Sequence, residues 1–443
     1  MSVYTLFSNG KLTMGDDTDI FSGTTDQTLE TVFNSVEESQ KYLMTLSIYD
    51  LVKFFDKLSH LWGDRSHPVQ TRFGTTGLNF LLYWFRENNI LDVLNTSLRG
   101  NCEVMDDFCN IPGTNHNVMA YPRGIICHWL AGNIPMLGML SLCQGILTKN
   151  ANVIKVPKSG GEVIPNLLSS FNEISYRNTS GHLIDGEKLA KSIAAVYVDT
   201  EDHDAHKELS SRAHVRVSWG GLEAVESIMN LPRKYGSEDV IFGPKTSFMV
   251  VGKEHLASEE HASVIAKRAS LDVSLLEQRG CNSPHTIFVE KEFNVKPEKF
   301  AKLLANQMEE TAKRYPRHEV LTTDTMNILR VRAEYDMRAE AYYPTSTDWT
   351  VLYSEDDTGL ATPCFNRTVF VRPIDNVMDV EMLCSHITQS VGVALSSDRK
   401  REFAKRVMAK GVDRCPDVGT MTAYEAPWDG MFSMDRFVRW CKI

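Results

Sequence analysis

The residue types best suited to covalent chemistry lie in Glu277-Gln278-Arg279-Gly280-Cys281-Asn282-Ser283-Pro284, just ahead of the apolar run Thr286-Ile287-Phe288-Val289. The spacing puts Cys281 on a Gly-containing turn that feeds a predicted buried strand. A thiol so placed is open to a ligand, held by a rigid element and activated by nearby backbone N–H groups, as a nucleophile must be. The ordinary fate of a lone cysteine is that of a small buried hydrophobe, so the weight of this reading comes from the other motifs of the chain.

Three of those motifs close strands. The turn His128-Trp129-Leu130-Ala131-Gly132-Asn133-Ile134-Pro135 joins a predicted strand to a helix, the place where parallel sheets receive ligands. Asn133 there reads either as a helix N-cap or as a side-chain amide aimed at a developing oxyanion. Ile154-Lys155-Val156-Pro157-Lys158-Ser159-Gly160-Gly161 ends the next strand, and its two lysines and small residues suit the ribose and phosphate of a nucleotide. Val217-Ser218-Trp219-Gly220-Gly221 opens a helix, where paired glycines let backbone N–H groups approach a pyrophosphate. The run Asp199-Thr200-Glu201-Asp202-His203-Asp204-Ala205-His206 carries metal-ligand types, but acidic residues at a helix N-terminus are explained by the helix dipole, and no metal is assigned.

The totals bound what these motifs serve. A chain of 443 residues is long enough for about two or three lobes. Its 42% apolar and 23% charged residues are those of a soluble globular protein. It has no uninterrupted apolar window of roughly 18 residues, so no membrane span is expected, and Met1–Gly10 lacks the pattern of a signal peptide. With 47 Lys and Arg against 57 Asp and Glu, the net charge of −10 argues against nonspecific nucleic-acid binding. Nine scattered cysteines with no CxxC pair fit a reducing cytoplasm, where Cys281 persists as a thiol.

The elements that must position the motifs follow from periodicity. Leu29–Leu58 and Gly74–Leu98 have helical spacing and read as packing helices. From Pro122 onward, strands at 124–128, 151–156, 193–198 and 215–218 alternate with helices at 134–147, 205–213 and 222–230. This is the signature of a buried parallel sheet. A second set has strands at 247–251, 286–290, 350–353 and 368–372 and helices at 259–271, 297–314, 377–389 and 398–410. The expectation is two α/β lobes: residues 1–242 as N-terminal helices with a dinucleotide-binding domain, 243–412 as a catalytic domain, and 413–443 as a segment for oligomerisation or return to the first domain.

Taken in order, Pro122-Arg123-Gly124, Gly132-Asn133-Ile134-Pro135, Lys155-Val156-Pro157-Lys158, Ser218-Trp219-Gly220-Gly221, Gly243-Pro244-Lys245 and Cys281 resemble the aldehyde dehydrogenase superfamily. The stretches 128–135, 219–221, 243–247 and 278–284, together with Trp428-Asp429-Gly430 and Val438-Arg439-Trp440, look like its LuxC-type fatty-acyl-CoA reductase branch. The resemblance covers about residues 105–443. It implies an α/β, aldehyde dehydrogenase-like fold: a Rossmann-type cofactor domain, an α/β catalytic domain and an oligomerisation extension. It also implies Cys281 as nucleophile, Asn133 as oxyanion donor, and Lys155, Lys158, Ser218, Trp219, Gly220 and Gly221 around the dinucleotide.

Two departures from the family pattern sharpen the expectation. Hydrolytic relatives carry a glutamate two residues before Gly-Gly-Lys, where this chain has Ile241, which removes the usual base for water. They also carry a Gly-rich second phosphate loop where this chain has the acidic Asp199–His206 run, which implies a different placement of the pyrophosphate. Lys158 stands where NAD-preferring relatives often have glutamate, so NADPH is the expected cofactor. The resemblance thus implies NADPH-dependent reduction of an acyl-CoA or acyl-carrier-protein thioester to the aldehyde. It further implies a homo-oligomer, dimer or tetramer, with an acyl-protein synthetase or transferase as partner. The alternatives are an aldehyde-oxidising enzyme that releases acid, which Ile241 disfavours, and a catalytically silent scaffold, which an intact Cys281 and Asn133 disfavour.

Overall fold

The computed structural model describes residues 3–14, 28–317 and 320–443. The chain forms two compact units, one of residues up to Gly243 together with Glu425–Ile443, the other Pro244–Tyr424. Residues 413–424 thus lie with the second unit and 425–443 with the first.

The first unit is built on a mostly parallel sheet. Its main strands are β1 (Val3–Ser8), β2 (Ile125–Trp129), β3 (Ala151–Lys155), β4 (Ile193–Val198), β5 (Val215–Trp219) and β6 (Glu238–Phe242), in the order β6-β5-β2-β3-β4-β1 with Lys11–Leu12 at the edge. All of these pairings are parallel except those of β1, which runs antiparallel to β4. Strands β2 and β4 are buried along their whole length, as expected of a sheet covered on both faces. The apolar periodicity of the N-terminal region resolves into α1 (Leu29–Leu43) and α2 (Ile48–Gly63), separated at Ser47, which closes a capping box with Asp50. Leu29, Val32, Phe33 and Val36 of α1 pack on Val3, Cys127, Val153 and Val196 of the sheet. In α2 the same period serves an aromatic cluster, with Phe54 edge-on to Phe171 at 5.2 Å and Phe55 edge-on to Phe85 at 5.0 Å. Strand β1 and strand β6 are not among the expected elements.

The helix after β2, α3 (Leu137–Leu147), is almost entirely buried. A polar chain runs beneath it: His128 Nδ1 meets Ser141 Oγ at 2.9 Å, His128 Nε2 meets Asn152 Oδ1 at 3.0 Å, and Asn152 Nδ2 donates to Asn150 O at 2.8 Å. Burial holds the His128 imidazole neutral by lowering its pKa to about 4. Helix α3 comes close enough to β3 for this chain because position 145 is glycine; a Cβ there would collide with Asn152 Oδ1. The unit also carries an antiparallel sheet in which Val438–Lys442 pairs with Asn117–Pro122, and that strand pairs with Cys109–Asn110.

The second unit repeats the principle. Its strands β7 (Thr246–Val251), β8 (Pro284–Glu290), β9 (Thr350–Tyr353), β10 (Thr368–Ile374) and β11 (Thr388–Ala394) lie in the order β9-β10-β8-β7-β11, all parallel, and Glu340–Tyr342 is added antiparallel at the β9 edge. One face is covered by helices α6 (Glu259–Ser274) and α7 (Pro297–Arg314), whose Ala262, Ala266, Phe300 and Leu304 meet Met249, Ile287 and Val371. Here α4 (His203–Arg212) and α5 (Leu222–Met229) are the two short helices that follow β4 and β5 in the first unit. The expected helix over 377–389 is corrected: a 3-10 helix spans Val377–Leu383, and Thr388–Ala394 is the buried strand β11. The β-branched Thr388, Val391 and Val393 gain more from pleated packing between β7 and the helices than from a helical turn. Helix α8 (Thr322–Arg338) is a further element not expected from the sequence.

Asp272, buried in α6, ties the core to the chain beyond β11: its carboxylate accepts from Gly419 N at 2.5 Å and Met421 N at 3.1 Å. Burial nevertheless raises its pKa to about 7, against backbone N–H groups that favour the charged form. Among the described helices none is long and apolar enough to cross a membrane.

Two outcomes follow from these packings. Gly145→Ala should cost about 1–3 kcal/mol in urea unfolding, the usual effect of overfilling a close helix–strand approach; an unchanged midpoint would mean that Asn152 can yield. Asp272 is raised in the fold from 3.8 to about 7, so between those values the folded state holds a proton that the unfolded chain has lost. Raising the pH through that window therefore withdraws stability. The unfolding free energy of wild type minus Asp272→Asn should fall by on the order of 3 kcal/mol from about pH 4 to about pH 8; a difference flat in pH would show Asp272 charged throughout.

Candidate active site

In the first unit, the motifs singled out in the sequence gather at the carboxyl ends of β2, β3 and β5. The chain leaves β2 for β3 and β4 on one side of the sheet, then returns to place β5 on the other side of β2. That reversal between β2 and β5 is the position at which open α/β sheets receive ligands. Leu130 N donates to Lys155 O at 3.3 Å, which joins the turn after β2 to the end of β3. Gly160 (φ +72°) packs so tightly beneath Pro135 that a Cβ would lie 2.6 Å from its Cγ, and a Cβ on Gly132 would lie 3.3 Å from Ser159 O. Thus the Asn133 turn and the Lys155–Gly161 segment form one packed surface. Asn133 is exposed, and α3 begins at Leu137 with Met136 at the cap. The side chain of Asn133 therefore stands three residues ahead of the cap position.

Lys155 is half-buried at the end of β3; burial lowers its pKa while Asp199 opposes that shift. Its ammonium also lies 5.8 Å from the centroid of the Tyr197 ring. Lys158 and Ser159 are exposed. The acidic run divides its labour: Asp202 caps α4 by accepting from Ala205 N at 3.1 Å, and Asp199 accepts from Glu201 N at 3.1 Å. His206 receives Trp129 Nε1 at 3.5 Å, and its pKa is lowered by burial and by the neighbouring Lys155. Among the described residues no group of three His, Cys, Asp or Glu is placed to hold a metal.

At the end of β5 the indole of Trp219 stacks on Phe242, with centroids 3.8 Å apart and planes 20° from parallel. The parallel register brings this about, pairing Ser218 with Ile241 and Trp219 with Phe242. Ser218 is fully buried and its Oγ has no hydrogen-bond partner among the described residues, so it meets a ligand only through a change of neighbours. Gly221 occupies the N-cap of α5 with φ −67° and ψ 169°, a conformation open to any residue. A Cβ there would meet nothing within 4 Å.

In the second unit, Cys281 lies on the loop that enters the amino end of β8. The loop is fastened at its backbone: Ser247 Oγ on β7 donates to Cys281 O at 2.7 Å and receives Ser390 N of β11 at 3.2 Å. Asn282 Nδ2 donates to Met421 O at 3.0 Å, the same residue whose N–H is held by Asp272. Gln278 is fully buried; its amide donates to Pro284 O at 2.8 Å and Thr368 O at 3.1 Å and accepts from Thr368 N at 2.7 Å. Glu277 pairs with Arg367 at 2.6 Å and with Arg317 at 3.0 Å. Between buried Gly280 and buried Asn282, Cys281 keeps partial exposure. Two residues beyond Ser283, His285 is buried edge-on to Phe365 with ring centroids 5.1 Å apart, and burial lowers its pKa to about 4. The supporting residues Ser247, Glu277, Arg317, Arg367 and Met421 carry no sequence signal as a set, since 139 residues separate Asn282 from Met421 and 143 separate Ser247 from Ser390.

Comparison with known proteins gives this geometry its context. Residues 43–440 match the family model described as acyl-CoA reductase (LuxC). The long-chain acyl-protein thioester reductase of Vibrio harveyi is 25% identical over 434 residues, covering 92% of this chain and 86% of that protein. Among solved structures, bifunctional proline utilization A superposes with a TM-score of 0.68 at 13% identity, over 95% of this chain; this chain spans only 45% of that one. Aldehyde dehydrogenase 21 of Physcomitrella patens gives a TM-score of 0.66 at 11% identity, with 99% and 97% of the two chains covered. The fold is therefore aldehyde dehydrogenase-like. With nearly the whole chain matched and a cysteine-bearing loop at the head of the second unit's central strand, the chain belongs to the acyl-CoA reductase (LuxC) family of aldehyde-forming acyl reductases.

Proposed function

We propose that the protein reduces a long-chain acyl thioester, carried by coenzyme A or by a carrier protein, to the aldehyde, with Cys281 as acyl acceptor and NADPH as reductant. The observation that carries this reading is the exposure pattern of the nucleophile loop. Gln278, Gly280, Asn282 and Ser283 are buried, whereas Cys281 remains partly exposed on a backbone pinned by Ser247 and Met421. A loop that spends its hydrogen bonds on its neighbours and leaves one thiol reachable is arranged for reaction rather than for packing.

In the first step the Cys281 thiolate attacks the thioester carbonyl, forming a new C–S bond as the donor thiol leaves with its electron pair. The acyl group is then held as a thioester on the protein. Asn133 has the role of donor to the carbonyl oxygen as charge develops on it, an interaction typically worth about 3 kcal/mol in the transition state. When bound, a nicotinamide dinucleotide supplies the hydride equivalent. Collapse of the reduced, Cys281-linked hemithioacetal breaks the C–S bond, releases aldehyde and returns the thiolate. Ile241 of β6, half-buried beside Ser218 in the sheet, offers no carboxylate to activate water. That favours reduction of the acyl-enzyme over its hydrolysis.

The residues that would hold the dinucleotide fit it. Lys155 and Lys158 provide cations at the end of β3, and the N-terminus of α5 provides backbone N–H groups behind Gly221, which has open space where a side chain would stand. Trp219 and Gly220 line the same turn, and Ser218, buried at the end of β5, directly precedes it. The exposed Lys158 favours a 2′-phosphate through charge. A homo-oligomer, a partner acyl-protein synthetase or transferase and a cytoplasmic location belong to the same proposal. The last is supported by nine cysteines joined in no disulfide.

Two experiments test this. With acyl-CoA and no reductant, mass spectrometry should find the acyl group on Cys281, and Cys281→Ala should abolish aldehyde formation with unfolding stability within about 1 kcal/mol of wild type. An adduct on another cysteine, or full activity of the variant, would remove Cys281 from the mechanism. Lys158→Glu should weaken use of NADPH by roughly 2–3 kcal/mol relative to NADH, the scale of a charge-assisted hydrogen bond; equal losses with both cofactors would mean that Lys158 does not read the 2′-phosphate.

A further inference from the structure

Left-handed backbone is uncommon for residues with a Cβ, and as a rule it occurs one residue at a time. Among the described non-glycine residues it occurs singly at Asn9, Arg99, Lys149 and Asp429, but in two runs of three: Leu276, Glu277 and Gln278 (φ 57°, 52° and 57°) and Phe365, Asn366 and Arg367 (φ 56°, 55° and 59°). The first run ends three residues before Cys281. The second leads into β10. Strain of this kind persists only where the surroundings over-determine it, and it gathers at functional sites.

The two runs hold each other. Asn366 N donates to Glu277 O at 3.0 Å, and Thr368 N donates to the Gln278 amide oxygen at 2.7 Å. Arg367 Nε and Nη2 both reach Glu277 Oε1, at 3.0 and 2.6 Å, while Arg367 Nη1 donates to Tyr315 O at 2.8 Å. Arg317 closes the arrangement from a third segment, with Nε 3.0 Å from Glu277 Oε2, Nη2 donating to Asn366 Oδ1 at 3.1 Å, and Nη1 donating to Thr347 O. Both guanidinium side chains are only 4% exposed. Each oxygen of Glu277 therefore faces a buried guanidinium, so this carboxylate serves as an anchor and not as a proton acceptor for substrate.

We infer that Glu277, clasped by Arg367 and Arg317, is a positioning residue that sets the place of the Cys281 thiol for acyl transfer. The inference rests on the reading of Cys281 as acyl acceptor. The clasp forces the chain into β8 by a strained path, and Cys281 is the partly exposed residue at the end of that path. Relaxing the clasp lets the loop leave the left-handed region. The thiol then becomes more accessible to a small reagent and less well placed for a bulky thioester that must be attacked along one line.

The test compares wild type with Glu277→Gln, Arg367→Gln, the double variant and the milder Arg367→Lys, all as full-length protein. The rate of Cys281 alkylation by iodoacetamide and the rate of Cys281 acylation by a long-chain acyl-CoA are both read by mass spectrometry. Each glutamine variant should raise alkylation at least threefold and lower acylation at least tenfold. The double variant should go no further than the worse single one, and Arg367→Lys should fall between wild type and Arg367→Gln. Labelling of the buried Cys127 and Cys143 should not change. The proposal is overturned if both rates keep their wild-type values, if they fall together, or if Cys127 and Cys143 open as well, which would make the clasp a general stability element. If wild type takes no acyl group on Cys281, the thioester reading fails, and the alkylation arm still decides whether the clasp places the thiol.

Discussion

The arrangement of the second unit turns on one buried amide. Gln278 offers β8 and β10 the donor and acceptor that a peptide group would, at the point where neither strand can supply them. Pro284 has no N–H to give, and the parallel ladder between the strands is in register only from Thr286 opposite Phe370. The side chain fills that gap by bonding Pro284 O and both backbone groups of Thr368. A buried amide or peptide group left without partners costs roughly 1–3 kcal/mol, so loss of this side chain would take a donor from Pro284 O and Thr368 O and leave Thr368 N with Phe365 O alone. The sheet begins where the amide holds it.

This constraint explains why strain is tolerable here. A left-handed L residue costs about 1–2 kcal/mol, and six of them lie within two short segments. What offsets that cost is the set of bonds the geometry allows, several of them charge-assisted: the fork of Arg367 on Glu277, the reach of Arg317, and the amide of Gln278. Fastening continues on the far side of the cysteine through Asn282 and Met421, and from there to Asp272 in the core. The loop that carries Cys281 is thus fastened on both sides, and Cys281 lies between two anchors.

How much of this the sequence discloses depends on the range of the interaction involved. The local period reveals β2, β3, β4 and β5 and the helices after β2, β4 and β5, because burial on both faces writes continuous apolar runs; it does not reveal Val163–Ser169, the helix after β3. It places Cys281 correctly on a loop ahead of a buried strand as well, through the contrast between a polar, Gly-containing turn and the apolar run that follows. It does not reveal β1, a strand whose partner β4 lies some 190 residues on, nor β11, where Val377–Leu383 begins with helical spacing and the β-branched run after Ile387 belongs to a sheet. Expecting one helix over 377–389 extends a true local signal past the turn that ends it. The clasp is illegible for the same reason: Glu277 reads as a surface charge until Arg317 and Arg367, 40 and 90 residues away, are brought to it.

The glycines of the first unit divide along a physical line that bears on the cofactor reading. Gly145 and Gly160 are required by the protein itself, one by the approach of Asn152 and the other by a positive φ beneath Pro135. Replacing either disturbs packing whether or not a ligand is bound. Gly221 meets neither demand, since its backbone is ordinary and the space above it is empty of protein atoms. A side chain there would cost the fold little and would cost a bound phosphate its approach to the helix terminus. The turn after β5 thus keeps its helix terminus open at Gly221, which is what the proposed dinucleotide phosphate requires of it.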